Sequence, residues 1–335
     1  MRGARPSNKP SEFADLYVAS ALQKDPCVTR QRGFCRTIPD RASTRLDEAG
    51  LEGYAVVAEL ARGGTSTVYL GRHLATGERV AIKALDAFYL GHSDMVHRLL
   101  GEYELALRAC HRGLLQIRCA EQTRQGIPYL VMEYLDGESL RARIGRAPPA
   151  RGALLAIAAQ VAHAVAALHA GGVVHCDLKP DNLFVLDEPA QAGPWPRVKV
   201  IDYGVARLAD SPPCENTVAG TPAFMAPEQW RGAPTVKSDV YALGCVLYEL
   251  VTGAPLFSGA VPQLMTAHCE RLPARPSLRD PAIGAELERL IVRALAKDPA
   301  LRPAMAELAT ALDALAAAAP AEVCDGFAPR LEALG

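Results

Sequence analysis

At about Gly137 the chain changes its period. Before that point, short runs alternate apolar and polar residues or are rich in β-branched ones, at residues 54–60, 67–72, 79–84, 116–120 and 128–134. Such runs make strands with one face buried. One helical stretch, residues 93–110, interrupts the series, and turn-like pieces at Ala75-Thr76-Gly77 and Arg124-Gln125-Gly126 separate strands. After Gly137, long Ala/Leu stretches carry helical spacing at residues 151–170, 237–253, 285–296 and 304–318. Two short strands, 183–186 and 198–201, flank a Pro/Gly-rich loop at 189–196. A small β-rich half followed by a larger helical half predicts an α+β fold.

Residues before about 50 mix Arg, Pro, Ser and acids with weak periodicity. Only residues 11–22 have helical spacing, with Phe13, Leu16 and Tyr17 on one side, and the segment 1–51 reads as a partly disordered extension. The formal net charge of −1 supplies no global field toward nucleic acid or a membrane surface. Nine cysteines without paired spacing read as reduced cytosolic thiols, and no His or Cys pair turns Cys27 and Cys35 into a zinc pattern. Residues 1–10 are polar and basic with no apolar core behind them, so no secretory signal is expected. Residues 152–170 approach the apolarity of a membrane span, but Gln160, His163 and His169 interrupt them and Ala dominates. A buried helix is expected there, in a cytoplasmic protein without a span.

Chemistry concentrates in a few places. Leu60-Ala61-Arg62-Gly63-Gly64-Thr65-Ser66-Thr67-Val68 joins the first two strands. Its glycines and small hydroxyl residues let backbone N–H groups approach an anion, although a Gly-Gly pair most often marks a plain hairpin. The next strand, Val80-Ala81-Ile82-Lys83, is an apolar run ended by one lysine. A lysine alternating with core residues needs a carboxylate or phosphate to offset its burial, and the following helix offers Glu102 and Glu104. Near the middle lies VVHCDLKPDNLFV, residues 173–185, a polar cluster held between two apolar runs. There Asp177 could take a proton from a hydroxyl, Lys179 could neutralise a transferred phosphoryl group, and the Asn182 oxygen could ligate Mg²⁺. Val198-Lys199-Val200-Ile201-Asp202-Tyr203-Gly204 then ends a strand on a carboxylate beside a glycine, a suitable second Mg²⁺ ligand. Each element alone is most simply a surface loop, but four in this order are not expected by chance.

Over residues 54–315 the sequence resembles the eukaryotic-like Ser/Thr protein kinases in their bacterial form. The resemblance implies a bilobal α+β fold: an antiparallel sheet with one main helix at 52–135, a mainly helical lobe at 136–316 and a short tail at 317–335. It implies transfer of the γ-phosphoryl of ATP, with Mg²⁺ or Mn²⁺ in its place, to Ser or Thr of protein substrates, the chain itself included. Residues 60–68 resemble the Gly-rich loop and Lys83 the lysine that contacts the α/β-phosphates, with Glu102 preferred over Glu104 as its partner by spacing to His111. Leu130-Val131-Met132-Glu133-Tyr134-Leu135 resembles the hinge, with Met132 as gatekeeper and the backbone of Glu133 and Leu135 holding adenine beside Ala81. Asp177 resembles the catalytic base, Lys179 its phosphate-neutralising neighbour, and Asn182 and Asp202 the Mg²⁺ ligands. Gly220-Thr221-Pro222 and Met225-Ala226-Pro227-Glu228 resemble the end of an activation segment, with Thr217 as an acceptor, Ser43 and Thr44 being weaker ones. Asp239 matches a loop-bracing Asp, and Arg302 an ion-pair partner for Glu228.

The sequence departs from the pattern at Ala61 and Ser66, where the loop's first and third glycines fall, at Tyr203 in place of a Phe, and at Cys176 in place of an Arg. In kinases with that Arg, the guanidinium binds a phosphorylated activation segment; cysteine cannot. Two rivals share parts of the pattern. A small-molecule phosphotransferase of the aminoglycoside-kinase type fits residues 175–182 and Asp202, but not Lys179 and the segment AGTPAFMAPE. A pseudokinase scaffold would typically lose Lys83, Asp177 or Asp202, and all three are present. The sequence does not indicate the oligomeric state.

Overall fold

The structure, a computed structural model, describes residues 46, 50–146, 149–187, 195–213 and 219–319. Its first half is a five-stranded antiparallel sheet of β1 (Tyr54–Arg62), β2 (Ser66–His73), β3 (Arg79–Leu85), β4 (Ile117–Gln122) and β5 (Pro128–Glu133), in the order β1-β2-β3-β5-β4. Helix α1 (Ser93–Ala106) lies against β3, β4 and β5.

Strand parity on β3 decides where its lysine points. Val80, Ile82 and Ala84 join Tyr69, Tyr129, Val131 and Leu46 in an apolar cluster on one face of the sheet. Ala81 and Leu85 join the main core on the other face, together with Leu99 of α1. Side chains alternate across a strand, so Lys83 shares the face of Ala81 and Leu85 and meets α1. Leu46, immediately upstream of the sheet, closes the outer cluster.

The second half holds α2 (Leu140–Arg146), α3 (Arg151–Ala170), α4 (Val236–Thr252), α5 (Val261–Glu270), α6 (Ala285–Ala294) and α7 (Met305–Ala318). Helix α3 is long and apolar enough to cross a membrane by length and composition, but it is the core helix here. Ile157, Val161, Val165 and Leu168 are fully buried, packed toward α4, α7 and β9 (Val198–Val200). Helix α4 starts on a reciprocal cap: Thr235 Oγ1 accepts from Lys237 N at 3.2 Å, and Ser238 Oγ accepts from Thr235 N at 2.9 Å. It ends on Gly253 at φ 68°, the left-handed stop that glycine adopts without cost. Small strands β6 (Gly137–Ser139) and β8 (Leu183–Leu186) pair with β9, and β7 (Val173–Val174) pairs with β10 (Arg207–Leu208).

The expected strands and the long helices occur within two residues of their expected bounds, with one exception. The helix expected over 93–110 stops at Ala106, where Leu107 N turns back to Tyr103 O and Leu105 O and the Leu107 side chain is exposed. Beyond it the chain must reverse through His111 into β4, so local helical spacing yields to that connection. Helices α2 and α5 are additions: one is short, and the other has its few buried residues, Leu264 and His268, too sparse to show a stripe. The helix expected over 11–22 and most of the 189–196 loop lie outside the described residues.

Candidate active site

Three charged side chains from three elements meet at the inner face of the sheet. Lys83 Nζ donates to Glu102 Oε1 and Oε2, both at 2.8 Å, and to Asp202 Oδ1 at 3.0 Å. Glu102 is therefore the partner, and Glu104, two residues on and about 200° round the helix, is exposed. The Lys83 side chain is 14% exposed and that of Glu102 6%, while Asp202 is 46% exposed toward the cleft. Burial alone would lower the Lys83 pKa, but Glu102 and then Asp202 outweigh it and push it up to about 12. Burial pushes the Glu102 carboxyl upward; Asp202, opposed by burial, is held below its ordinary value by the Lys83 ammonium.

The second constellation grows from β7. The chain leaves Val174 through His175, whose ring accepts from Asp177 N through Nδ1 at 3.3 Å and faces Ile201 O through Nε2, also at 3.3 Å. Cys176 then takes φ 65°, and Asp202 takes φ 67°. These are the only non-glycine residues at positive φ among the described residues, and such backbone costs about 1–3 kcal/mol at each site. Cys176 precedes Asp177 and Asp202 meets Lys83, and each is held by its neighbours. Asp239, fully buried at the start of α4, accepts from His175 N at 2.8 Å, Cys176 N at 2.9 Å and His169 Nε2 at 2.8 Å.

This bracing turns Asp177 into the cleft with its oxygens engaged. Thr221 Oγ1 donates to Asp177 Oδ1 at 2.7 Å, and Lys179 Nζ lies 2.9 Å from Oδ2 and 2.7 Å from Thr221 Oγ1. Asn182 Nδ2 donates to Asp177 O at 2.8 Å and Oδ2 at 3.1 Å, which leaves its amide oxygen as the atom for a cation. Asn182 O in turn accepts from Ile201 N at 2.9 Å, which ties this loop to the strand end carrying Asp202. An amide oxygen and one carboxylate suit Mg²⁺, whose other positions go to phosphate oxygens and water. Among the described residues no group of three or more His, Cys, Asp or Glu side chains is placed to hold a metal, so the protein alone offers a partial shell.

Across the sheet, Gly63 N donates to Ser66 O at 2.8 Å and closes the β1–β2 hairpin, leaving Gly64 and Thr65 at its tip. Ala61 pairs with Val68 and Arg62 with Thr67, so the substitution at Ala61 falls inside the ladder and removes no N–H from the tip. Ala81 lies opposite Met132, both buried, and Glu133 opposite Val80. The exposed Leu60 side chain is near the same hairpin, and Leu135 follows β5. Glu133 does more than the sequence indicated: Oε1 accepts from Lys199 Nζ at 2.7 Å and from Gln116 N at 2.8 Å, binding the end of β5 to β9. The alternation of VKV on a buried strand was the signal that Lys199 needs such a partner.

Below the cleft, Arg302 uses every donor of its guanidinium. Nη1 and Nη2 reach Glu228 Oε1 and Oε2 at 2.6 and 2.9 Å, and Nε, Nη1 and Nη2 also reach Ala296 O, Lys237 O and Lys297 O. Tyr203, which stands where the family pattern has a phenylalanine, is buried, its hydroxyl 3.5 Å from Leu115 O. Gln229, absent from the expectations, bridges the Asp177 loop and the segment before Thr221; a single Gln carries no sequence signal for this. Thr217, Ser43 and Thr44 lie outside the described residues.

A sheet with a buried Lys–Glu pair, facing a helical body with an Asp–Lys–Asn loop and a second Asp, is the architecture of a phosphotransferase. Residues 54–311 match the model of the protein kinase domain, and the chain belongs to that family. It is 42% identical over 252 residues to the serine/threonine-protein kinase Pkn1 of Myxococcus xanthus, covering 73% of this chain and 36% of that protein. It is 38% identical over 283 residues to the serine/threonine-protein kinase PkaA of Streptomyces coelicolor, covering 78% of this chain and 50% of that protein. With the serine/threonine-protein kinase PknB of Mycobacterium tuberculosis it shares 34% identity over 275 residues, 78% of this chain and 41% of that protein. The chain thus spans half or less of the length of these relatives.

Proposed function

We propose that this chain is a cytoplasmic serine/threonine protein kinase that transfers the γ-phosphoryl of ATP to Ser or Thr hydroxyls of proteins, itself among them. The observation that carries the reading is the Asp177–Thr221–Lys179 cluster, with Thr221 Oγ1 2.7 Å from both Asp177 Oδ1 and Lys179 Nζ. It ties a base to a peptide-positioning segment, which a phosphotransferase for small molecules does not need. Lys83, Asp177 and Asp202 are all present and all face one cleft, which favours an enzyme over a scaffold.

In this reading Asp177 takes the proton of the acceptor hydroxyl as its oxygen bonds the γ-phosphorus. The bond from that phosphorus to the β,γ-bridging oxygen breaks, and ADP leaves with the electron pair. Lys179 neutralises charge on the transferred group, and Lys83, fixed by Glu102, holds the α/β-phosphates. The hairpin at residues 60–68 covers the phosphates with its backbone N–H groups, and Ala81, Met132 and the backbone of Glu133 and Leu135 enclose the adenine. Asn182 and Asp202 would hold Mg²⁺, with Mn²⁺ able to take its place, and the ion supplies charge neutralisation of the phosphate oxygens. Asp239 and the Glu228–Arg302 pair keep the loops in place.

The test is to incubate the protein with γ-labelled ATP and Mg²⁺, offering Ser/Thr protein substrates and aminoglycosides side by side. Label on phosphoserine and phosphothreonine supports the reading; label mostly on phosphotyrosine or on the small molecule overturns it.

A further inference from the structure

We propose that His268 is a positioning residue for the acceptor peptide: with Tyr241 and Lys297 it holds the turn Pro222–Phe224, which follows Thr221. The inference rests on the kinase reading above and names a further residue of that same site.

His268, on the last turn of α5, is a fully buried histidine that the phosphoryl transfer itself does not use. A ring so buried calls for partners at both nitrogens. Nδ1 lies 3.0 Å from the Tyr241 hydroxyl of α4, and Lys297 Nζ donates to that same hydroxyl at 3.1 Å. Lys297 also donates to His268 O at 2.7 Å and to Ala267 O at 3.3 Å, so its three hydrogens are all placed. Burial lowers the Lys297 pKa only to about 8, so at pH 7 it is an ammonium and can only donate. The Tyr241 oxygen therefore accepts from Lys297, and its own hydrogen goes to Nδ1. Burial and then the Lys297 ammonium press the His268 pKa down to about 3, so the ring is neutral and its one proton sits on Nε2.

That proton faces the end of the activation segment. Nε2 is buried without a hydrogen bond among the described residues, yet the Ala223 backbone favours a proton on the ring, as a carbonyl beside an N–H does. The acceptor is near and not fully engaged; such bonds are often long in a free enzyme and tighten once substrate is bound. Helix α5 packs against the turn that carries Ala223, and Phe224 N closes that turn by donating to Thr221 O at 2.9 Å. Thr221 is the residue whose hydroxyl meets both Asp177 and Lys179. A buried N–H left without its acceptor costs about 1–3 kcal/mol, which draws the Ala223 carbonyl toward the ring and fixes the turn. The ring is itself held: Phe257 stands edge-on at 5.1 Å and Tyr241 at 5.7 Å. Arg302, bound to Glu228, lies over the Tyr241 ring at 4.9 Å and keeps the hydroxyl in place.

The experiment measures steady-state kinetics of the full chain at pH 7 with Mg-ATP and one Ser/Thr peptide that wild type phosphorylates, beside thermal melts. His268→Leu fills the same space without the ring nitrogens and is expected to raise the peptide KM about tenfold, as a small misplacement of the peptide would. Its ATP KM and its kcat at saturating peptide are expected to stay within about threefold of wild type, the pattern of lost peptide binding alone. His268→Gln keeps an acceptor and an N–H donor, and is expected to bring the peptide KM back to within about threefold of wild type. Tyr241→Phe removes only the hydroxyl that sets the ring's proton; it is expected to raise the peptide KM about threefold or more in wild type and to add nothing to His268→Leu. If His268→Leu does not fold, Tyr241→Phe and His268→Gln decide. A wild-type peptide KM in folded His268→Leu or in Tyr241→Phe, an ATP KM that rises as much as the peptide KM, or a tenfold loss in His268→Gln overturns the inference and leaves the kinase reading standing. So does a Tyr241→Phe effect that persists in His268→Leu. A wild type that binds nucleotide but labels no Ser or Thr overturns the kinase reading and the inference together.

Discussion

Glu102→Ala removes the carboxylate that meets Lys83 through both oxygens at 2.8 Å. The Lys83 pKa stands at about 12 against an ordinary 10.5, because Glu102 and Asp202 outweigh the burial that would lower it. At about 1.4 kcal/mol per pH unit, that rise corresponds to ~2 kcal/mol of folding stability. The folded value lies above the unfolded one, so this stability is complete below pH 10.5 and is lost as pH rises through about 12. In a neutral assay all of it is present. Burial pushes the Glu102 carboxyl up, so deleting it also relieves a cost, while Lys83 stays buried with one carboxylate fewer; the two act in opposite directions around that ~2 kcal/mol. The melting temperature should therefore fall by several degrees, about 4–8 °C. Activity should fall much further. Lys83 would keep only Asp202, 3.0 Å away, and draw that carboxylate from the position where it faces the cleft. We expect kcat/KM to drop about a hundredfold, or ~2.7 kcal/mol of transition-state stabilisation, measured by steady-state kinetics beside thermal melts. Glu104→Ala, at an exposed position, is the control. Glu102→Ala within about threefold of wild type, or Glu104→Ala losing as much, would refute the assignment of the pair.

Glu228→Gln strands the Arg302 guanidinium, whose side chain is fully buried, and should cost about 3–5 kcal/mol, lowering the melting temperature by roughly 10 °C in calorimetry. Thr221→Ala removes the hydroxyl between Asp177 and Lys179 and should lower kcat about tenfold, with Thr221→Ser restoring most of it. Burial raises the Cys176 thiol well above its ordinary pKa, so under native conditions mass spectrometry should find the exposed Cys110 alkylated long before Cys176.

The sheet was legible because its strands are short runs of β-branched or alternating residues; β2 alternates in burial, and on β3 Val80, Ile82 and Ala84 face one way and Ala81, Lys83 and Leu85 the other. The same alternation marked Lys83 as a lysine needing a partner; the following helix offered Glu102 and Glu104, the resemblance preferred Glu102, and Lys83 meets Glu102 in the structure. Helix α5 was missed because its start is marked only by Pro262 in the first turn and by Gln263 Oε1 accepting from Ala260 N at 2.9 Å, a weak signal beside a short apolar face. The VKV alternation signals that Lys199 needs a partner but not that the partner is Glu133, and the Gln229 bridge joins residues far apart in the chain with no sequence signal of its own. Asp239 could be placed by resemblance, but its three donors come from α3 and the turn after β7, which tertiary packing alone brings together. The positive φ at Cys176 and Asp202 runs against local preference and depends on that packing.

Phosphosite mapping after incubation with Mg-ATP decides whether Asp177 is the base of a Ser/Thr phosphoryl transfer. Wild type and Asp177→Asn are compared at equal nucleotide occupancy, with thermal melts to show that both are folded. Phosphate is expected on Ser or Thr in wild type, and Asp177→Asn is expected to lose at least about a hundredfold in rate with a nearly unchanged melting temperature. Turnover near the wild-type rate in folded Asp177→Asn would contradict that assignment.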